Sequence, residues 1–142
     1  MQQVNQHELQ HLISVSTGFI DTYVIECFNQ PAMLLPQNIV LSALDSPTHV
    51  STVDWHDTQL PVYAIHHPEQ HKGVALVIEG EDTRQRFALM CNEMPQTMRL
   101  RISEVVDSPE AVMPAEVFQY VKVGEHIFHV PNLNAIEKRL GL

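Results

Sequence analysis

Positive charge is what this chain has least of. Its 142 residues carry 8 Lys+Arg against 17 Asp+Glu, for a formal net charge of −9. Nucleic acids and anionic membranes are bound through a cationic footprint, so neither is expected as a partner. Glycine is scarce as well. The five glycines, at 18, 73, 80, 124 and 141, lie far apart and none belongs to a G-x-G, which excludes a glycine-rich phosphate cradle. There is no G-x-S-x-G elbow and no C-x-x-C. The two cysteines, Cys27 and Cys91, sit inside apolar runs, as buried reduced thiols do, and not as a disulfide framework. No apolar run reaches the roughly 18 residues of a membrane span. Met1-Gln2-Gln3-Val4-Asn5-Gln6 has neither the basic nor the apolar segment of a secretory leader. A cytoplasmic location without membrane insertion is the expectation.

What the chain does contain is ordinary core material, 44% hydrophobic against 18% charged. A domain of this length buries roughly 68–70% of its unfolded surface and needs no disulfide or metal to hold a core. Residues 1–19 are rich in Gln and His and read as an N-terminal extension, with a weak helical stripe of Val4, Leu9, Leu12 and Ile13 closed by Gly18. From residue 20 to 142 the pattern becomes short β-prone runs punctuated by turn residues. Thr22–Phe28 ends on Asn29-Gln30-Pro31, and Ala32–Leu44 is interrupted by Pro36-Gln37-Asn38. Asp45-Ser46-Pro47 reads as a loop. Val50–Trp55 and Gln59–Ile65 flank the turn His56-Asp57-Thr58, and His66–Gly73 reads as a long polar surface loop. Val74–Glu79 and Gln85–Cys91 form a hairpin across Gly80–Arg84; Phe118–Val123 and His126–Val130 form another across Gly124-Glu125. Ser108-Pro109 and Met113-Pro114 mark a connection between them. A helix closes the chain, with Asn134 as its cap, Glu137 as the reciprocal partner, Lys138 and Arg139 in its last turn and Gly141 as its stop. Leu133, Ile136 and Leu140 give it one apolar face.

Two segments recur. Leu35-Pro36-Gln37-Asn38-Ile39-Val40-Leu41 echoes Met94-Pro95-Gln96-Thr97-Met98-Arg99-Leu100, and Val53–Val62 echoes Val121–Val130 in the same order. Each half then reads as strand, Pro-interrupted strand, loop and hairpin. Two similar β subdomains are expected, each too small to stand alone.

Candidate chemistry is thin. His7-Glu8-Leu9-Gln10-His11 satisfies H-E-x-x-H, which on a helix sets two imidazoles on one zinc with Glu8 as general base. Its flanks are polar, no strands precede it to build a cleft, and no H-x-x-G-x-x-H continuation follows, so a metal-dependent hydrolase is the weakest reading. His66, His67 and His71 fall in the polar loop, where solvation is the ordinary expectation and ligands are poorly held without a supporting shell. His126 and His129 lie on opposite faces of one strand by alternation. No catalytic residue, cofactor or metal ligand is assigned. A protein without catalytic groups acts through its surface, and Trp55, the single tryptophan, adjoins a short turn with two carboxylates and an imidazole.

The order of these segments resembles the CheW-like domain family. Asp54-Trp55-His56-Asp57 stands where the family carries Asn-x-Arg-Gly, with Leu60-Pro61-Val62-Tyr63-Ala64-Ile65 as the apolar strand that follows. Phe87–Pro95 resembles the long central strand, and Tyr120–Leu133 the closing hairpin before the last helix. The Trp, Leu34-Leu35-Pro36 and Met94-Pro95-Gln96 are closest to ChpC-type accessory members of type IV pilus (twitching) chemosensory systems. The resemblance implies a mainly β fold of two five-stranded SH3-like or OB-like barrels with a short C-terminal helix. It implies a non-catalytic adaptor in two-component signal transduction, coupling a CheA-type histidine kinase to a methyl-accepting chemoreceptor. The implied partner surface is Val40, Leu41, Ser42, Asp54, Trp55, His56 and Asp57. The chain departs from the family at three of these positions: His56 replaces Arg, Asp57 replaces Gly, and Ser42 stands where the strand commonly ends in Glu. A β-barrel binding module of another system is the alternative.

Overall fold

A computed structural model describes residues 18–80, 83–108 and 113–142. The chain is mainly β, with strands β1 (Phe19–Cys27), β2 (Gln30–Pro36), β3 (Val40–Pro47), β4 (Thr52–Trp55), β5 (Thr58–Ala64), β6 (Lys72–Ile78), β7 (Phe87–Cys91), β8 (Gln96–Arg101), β9 (Val105–Asp107), β10 (Val117–Val123) and β11 (His126–Pro131), then helix α1 (Leu133–Arg139). They form a six-stranded sheet of order β8-β1-β2-β11-β10-β9 and a five-stranded sheet of order β3-β6-β7-β5-β4, one of them curled into a half-barrel.

The two sheets share a connectivity. In each, a single strand (β8 or β3) flanks an antiparallel hairpin (β1–β2 or β6–β7), and the hairpin's inner strand runs parallel to that of a second hairpin (β11–β10 or β5–β4). The short β9 is the one strand without a counterpart. The five-stranded sheet is one continuous piece of chain, β3 to β7 (Val40–Cys91), inserted between β2 and β8 of the other. The six-stranded sheet is discontinuous: it joins the hairpin β1–β2 to β8, β9, β10 and β11 from the far side of that insertion. The chain crosses between sheets at Pro36-Gln37 and again at Pro95-Gln96, which is where the echoed Pro-Gln pairs fall. Proline has no N–H to continue a ladder, so Pro36 ends the β1–β2 pairing and Pro95 stands just before the β1–β8 pairing starts at Gln96.

Central strands are buried on both faces, which creates three apolar layers. Ile25, Met33 and Leu35 from the first sheet meet Leu76, Ile78, Phe87, Leu89 and Cys91 from the second, with Ile136 of α1 closing that inter-sheet core. Ile20, Leu34, Leu100, Val121 and Phe128 fill the outer face of the six-stranded sheet. Ala75, Ala88 and Met90, with Val50, Val53 and Val62, fill that of the five-stranded sheet. The shared face of Phe87, Leu89 and Cys91 therefore looks onto the other sheet, while the alternate residues Ala88 and Met90 face the interior of their own. Helix α1 docks through Ile136, Leu133 and Leu140 as its apolar stripe implies.

Some sequence expectations are corrected. Asp45-Ser46-Pro47 is the end of β3 and not a loop: Asp45, Ser46 and Pro47 pair with Val74, Gly73 and Lys72. Pro47 is tolerated there because β3 is an edge strand. The helix is capped by Asn132, whose Oδ1 accepts the Ala135 N–H at 3.1 Å, and Asn134 lies inside the helix. The first described strand, β1, starts at Phe19, the last residue of the span assigned to the N-terminal extension. The weak helical stripe read in that extension lies outside the described residues.

Candidate functional site

The hairpin β4–β5 turns through two residues, His56 (φ 49°) and Asp57 (φ 61°), both left-handed, between the paired Trp55 and Thr58. That is the backbone of a type I′ turn, whose hand suits the twist of the flanking strands and which favours Asn-Gly. His and Asp tolerate it better than most residues, yet each left-handed residue costs about 1–2 kcal/mol. The strain persists only because the surrounding ladder fixes it. Asp54, His56 and Asp57 are exposed and Trp55 is half-buried.

Val40, Leu41 and Ser42 open β3, at the opposite edge of the same sheet. The register slips between Val40 and Ser42, so Leu41 sits on a bulge and is 37% exposed. Bulges re-aim side chains and cluster near functional positions. Val40 also packs against the inter-sheet core and so has a structural role of its own.

The two segments share one end of the sheet, and a relay that sequence reasoning missed links them. The Glu79 N–H donates to the Ile39 carbonyl at 2.9 Å. The Arg86 guanidinium reaches the Glu79 carboxylate at 3.5 Å, and its central carbon lies 5.3 Å from the Trp55 ring centroid. The Trp55 and His56 rings are 4.2 Å apart. Arg86 Nε and Gln85 Oε1 are buried without a hydrogen-bond partner among the described residues. A signal for the relay was present: once Ile78 pairs with Phe87, Glu79 and Arg86 are the next facing residues of the hairpin.

The polar loop before β6 is more structured than expected. Its last residues, Lys72 and Gly73, belong to β6, and His66 is buried. The His67 N–H donates to Asn92 Oδ1 at 2.7 Å, the Gln70 side-chain amide donates to the Lys72 carbonyl at 2.7 Å, and the Thr48 hydroxyl donates to the Gln70 carbonyl. His49 stacks edge-on to His66 at 5.3 Å and lies 5.6 Å from His71. Burial first, then the neighbouring His49 and His67, hold the His66 imidazole below the usual histidine range. Among the described residues no group of three His, Cys, Asp or Glu is arranged to hold a metal ion. His7, Glu8 and His11 lie outside the described residues. His126 is exposed and His129 buried; His129 Nδ1 donates to the Pro31 carbonyl at 2.8 Å, since a carbonyl can only accept. Cys27 and Cys91 are free thiols, half-buried and buried respectively. Burial pushes Cys27 up to about 12 and Cys91 upward as well, so neither is a ready nucleophile. No helix among the described residues is long and apolar enough to cross a membrane.

Neither a protein-family model nor a curated protein matches this chain.

Proposed function

We propose that the chain is a non-catalytic CheW-like adaptor, coupling a CheA-type histidine kinase to a methyl-accepting chemoreceptor in a type IV pilus chemosensory system. The observation that carries this reading is the β4–β5 turn. It is exposed and backbone-strained, and Trp55, Arg86 and Glu79 tie it to the bulged start of β3. A strained, rigid turn bearing an aromatic and charged groups suits recognition of a protein surface, where aromatics and Arg supply most of the binding energy. Two sheets of common connectivity, sharing one core, agree with the doubled β architecture that the resemblance implies. The test is the affinity of the purified chain for the host's kinase regulatory domain and for a receptor signalling fragment. Trp55→Ala and Arg86→Gln are expected to weaken at least one of these about tenfold or more, with folding unchanged by circular dichroism. Wild-type protein that binds neither fragment removes the proposal.

A further inference from the structure

We infer a second protein-docking surface at the opposite end of the molecule from Trp55, shaped for a partner segment that presents an apolar side chain flanked by Lys or Arg. It is built where three connections meet: the β1–β2 turn, the loop before β6 and the β7–β8 connection. The Phe28 N–H donates to the Ile65 carbonyl at 3.0 Å, and the Phe28 ring stands edge-on to His67 at 5.0 Å. His67 is tied in turn to Asn92 at 2.7 Å. Beside Asn92 lies a depression of about 150 Å³ whose floor includes the buried Ile25 and Cys91 and whose rim includes Glu26, Glu93 and Met94. Phe28 is 47% and Met94 49% exposed, among the most exposed large apolar side chains described. A small apolar-floored hollow beside two prominent apolar side chains is the geometry that takes an anchor residue from a partner.

Charge selects the occupant. Glu26 near the end of β1 and Glu69 and Glu93 in the connections are exposed; Cys27, His66, His67 and His71 are the other titratable groups there, and the exposed Lys72 at the start of β6 leaves three carboxylates to one ammonium. The rim therefore attracts a basic segment and repels an acidic one. A second copy of this chain is disfavoured, because a two-fold contact brings Glu26 and Glu93 against their own equivalents. The surface is separated from the Trp55 turn by the length of β7, roughly 15 Å or more. It provides the second contact that a bridging protein requires, and in that respect it rests on the adaptor reading above.

The test titrates the full ¹⁵N-labelled chain with the peptide Lys-Arg-Leu-Leu-Arg-Lys and, separately, with Glu-Asp-Leu-Leu-Asp-Glu. The expected result is saturable amide shifts at Glu26, Phe28, Glu93 and Met94 with the basic peptide alone. They should be lost in the double variant Glu26→Lys/Glu93→Lys, whose remaining spectrum reports an intact fold. Shifts that are absent, scattered or equal for the two peptides overturn the inference. So do concentration-dependent shifts at these four residues without peptide, which assign the surface to self-association. The same double variant is then tested against the kinase and receptor fragments. It is expected to weaken one of them at least tenfold while Trp55→Ala weakens the other. If neither fragment binds wild-type protein but the basic peptide still saturates, the adaptor reading falls and the docking surface stands. If the fragments bind, the double variant leaves both unchanged and the peptide gives no shift, the surface falls alone.

Discussion

Leu89 is 2% exposed in the inter-sheet core, so truncation leaves a cavity between two sheets that cannot easily close over it. Leu89→Ala is expected to lower unfolding free energy by about 2–5 kcal/mol. His67→Ala keeps the backbone N–H that bonds to Asn92 and should cost less than about 0.5 kcal/mol in the same urea titration. Burial disfavours the imidazolium of His129 in the folded chain and holds it below the ordinary histidine range. On acidification the unfolded chain takes up that proton first. Stability present at neutral pH is therefore lost as pH falls below roughly 6.5, the unfolded histidine value, until the folded imidazole itself titrates. Urea midpoints at about pH 7 and about pH 5 should differ less in His129→Gln than in wild type, with His66 adding a residual slope of the same sign. At this scale, alternation along β7 groups Phe87, Leu89 and Cys91 on one face, as the inter-sheet core has them. It did not tell which core they face, because all five residues of the strand are buried and a period of two then separates nothing.

Elements were easier to read than residues wherever turn chemistry bounded them. The hairpins β4–β5, β6–β7 and β10–β11 follow from their turns, and α1 from its apolar stripe and Gly141. The cap was misplaced because Asn132 and Asn134 are both good N-caps, and only backbone geometry shows which one precedes the first helical residue. Asn132→Ala should cost about 1 kcal/mol and Asn134→Ala much less, by denaturant unfolding. The end of β3 was hidden by its loop-like composition. Its pairing depends on Gly73, where an added Cβ meets the Cys91 carbonyl oxygen inside contact distance. Gly73→Ala is therefore expected to destabilise by about 1–3 kcal/mol, as overpacking does. Asp57→Gly should act the other way, raising stability by up to about 1 kcal/mol by relieving the left-handed backbone.

For the whole molecule, the echo between the two halves hinted at a repeat but could not show that one sheet, β3–β7, is inserted whole between β2 and β8 of the other. That insertion is a matter of long-range pairing, on which local periodicity is silent. Its consequence for stability is direct. A fragment ending at Gly80 lacks β7, β8, β10 and β11, so β1–β2 and β6 have no neighbours on one side. Fragments 1–80 and 81–142 should each be unfolded by circular dichroism and regain β structure when mixed; an independently folded half would refute this account of the core. The same insertion sets a clock on synthesis. The earliest hairpin to emerge exposes Met33-Leu34-Leu35, and its last partners arrive near the C-terminus: the His129–Pro31 bond joins residues 98 apart in the chain. At ~5–20 residues per second a ribosome needs roughly 5–20 s to deliver β11 after β2. Throughout that interval a sticky, unpaired strand edge waits in the open, so the nascent chain is a natural client for holdase chaperones, and crowded expression is where its folding yield will suffer first.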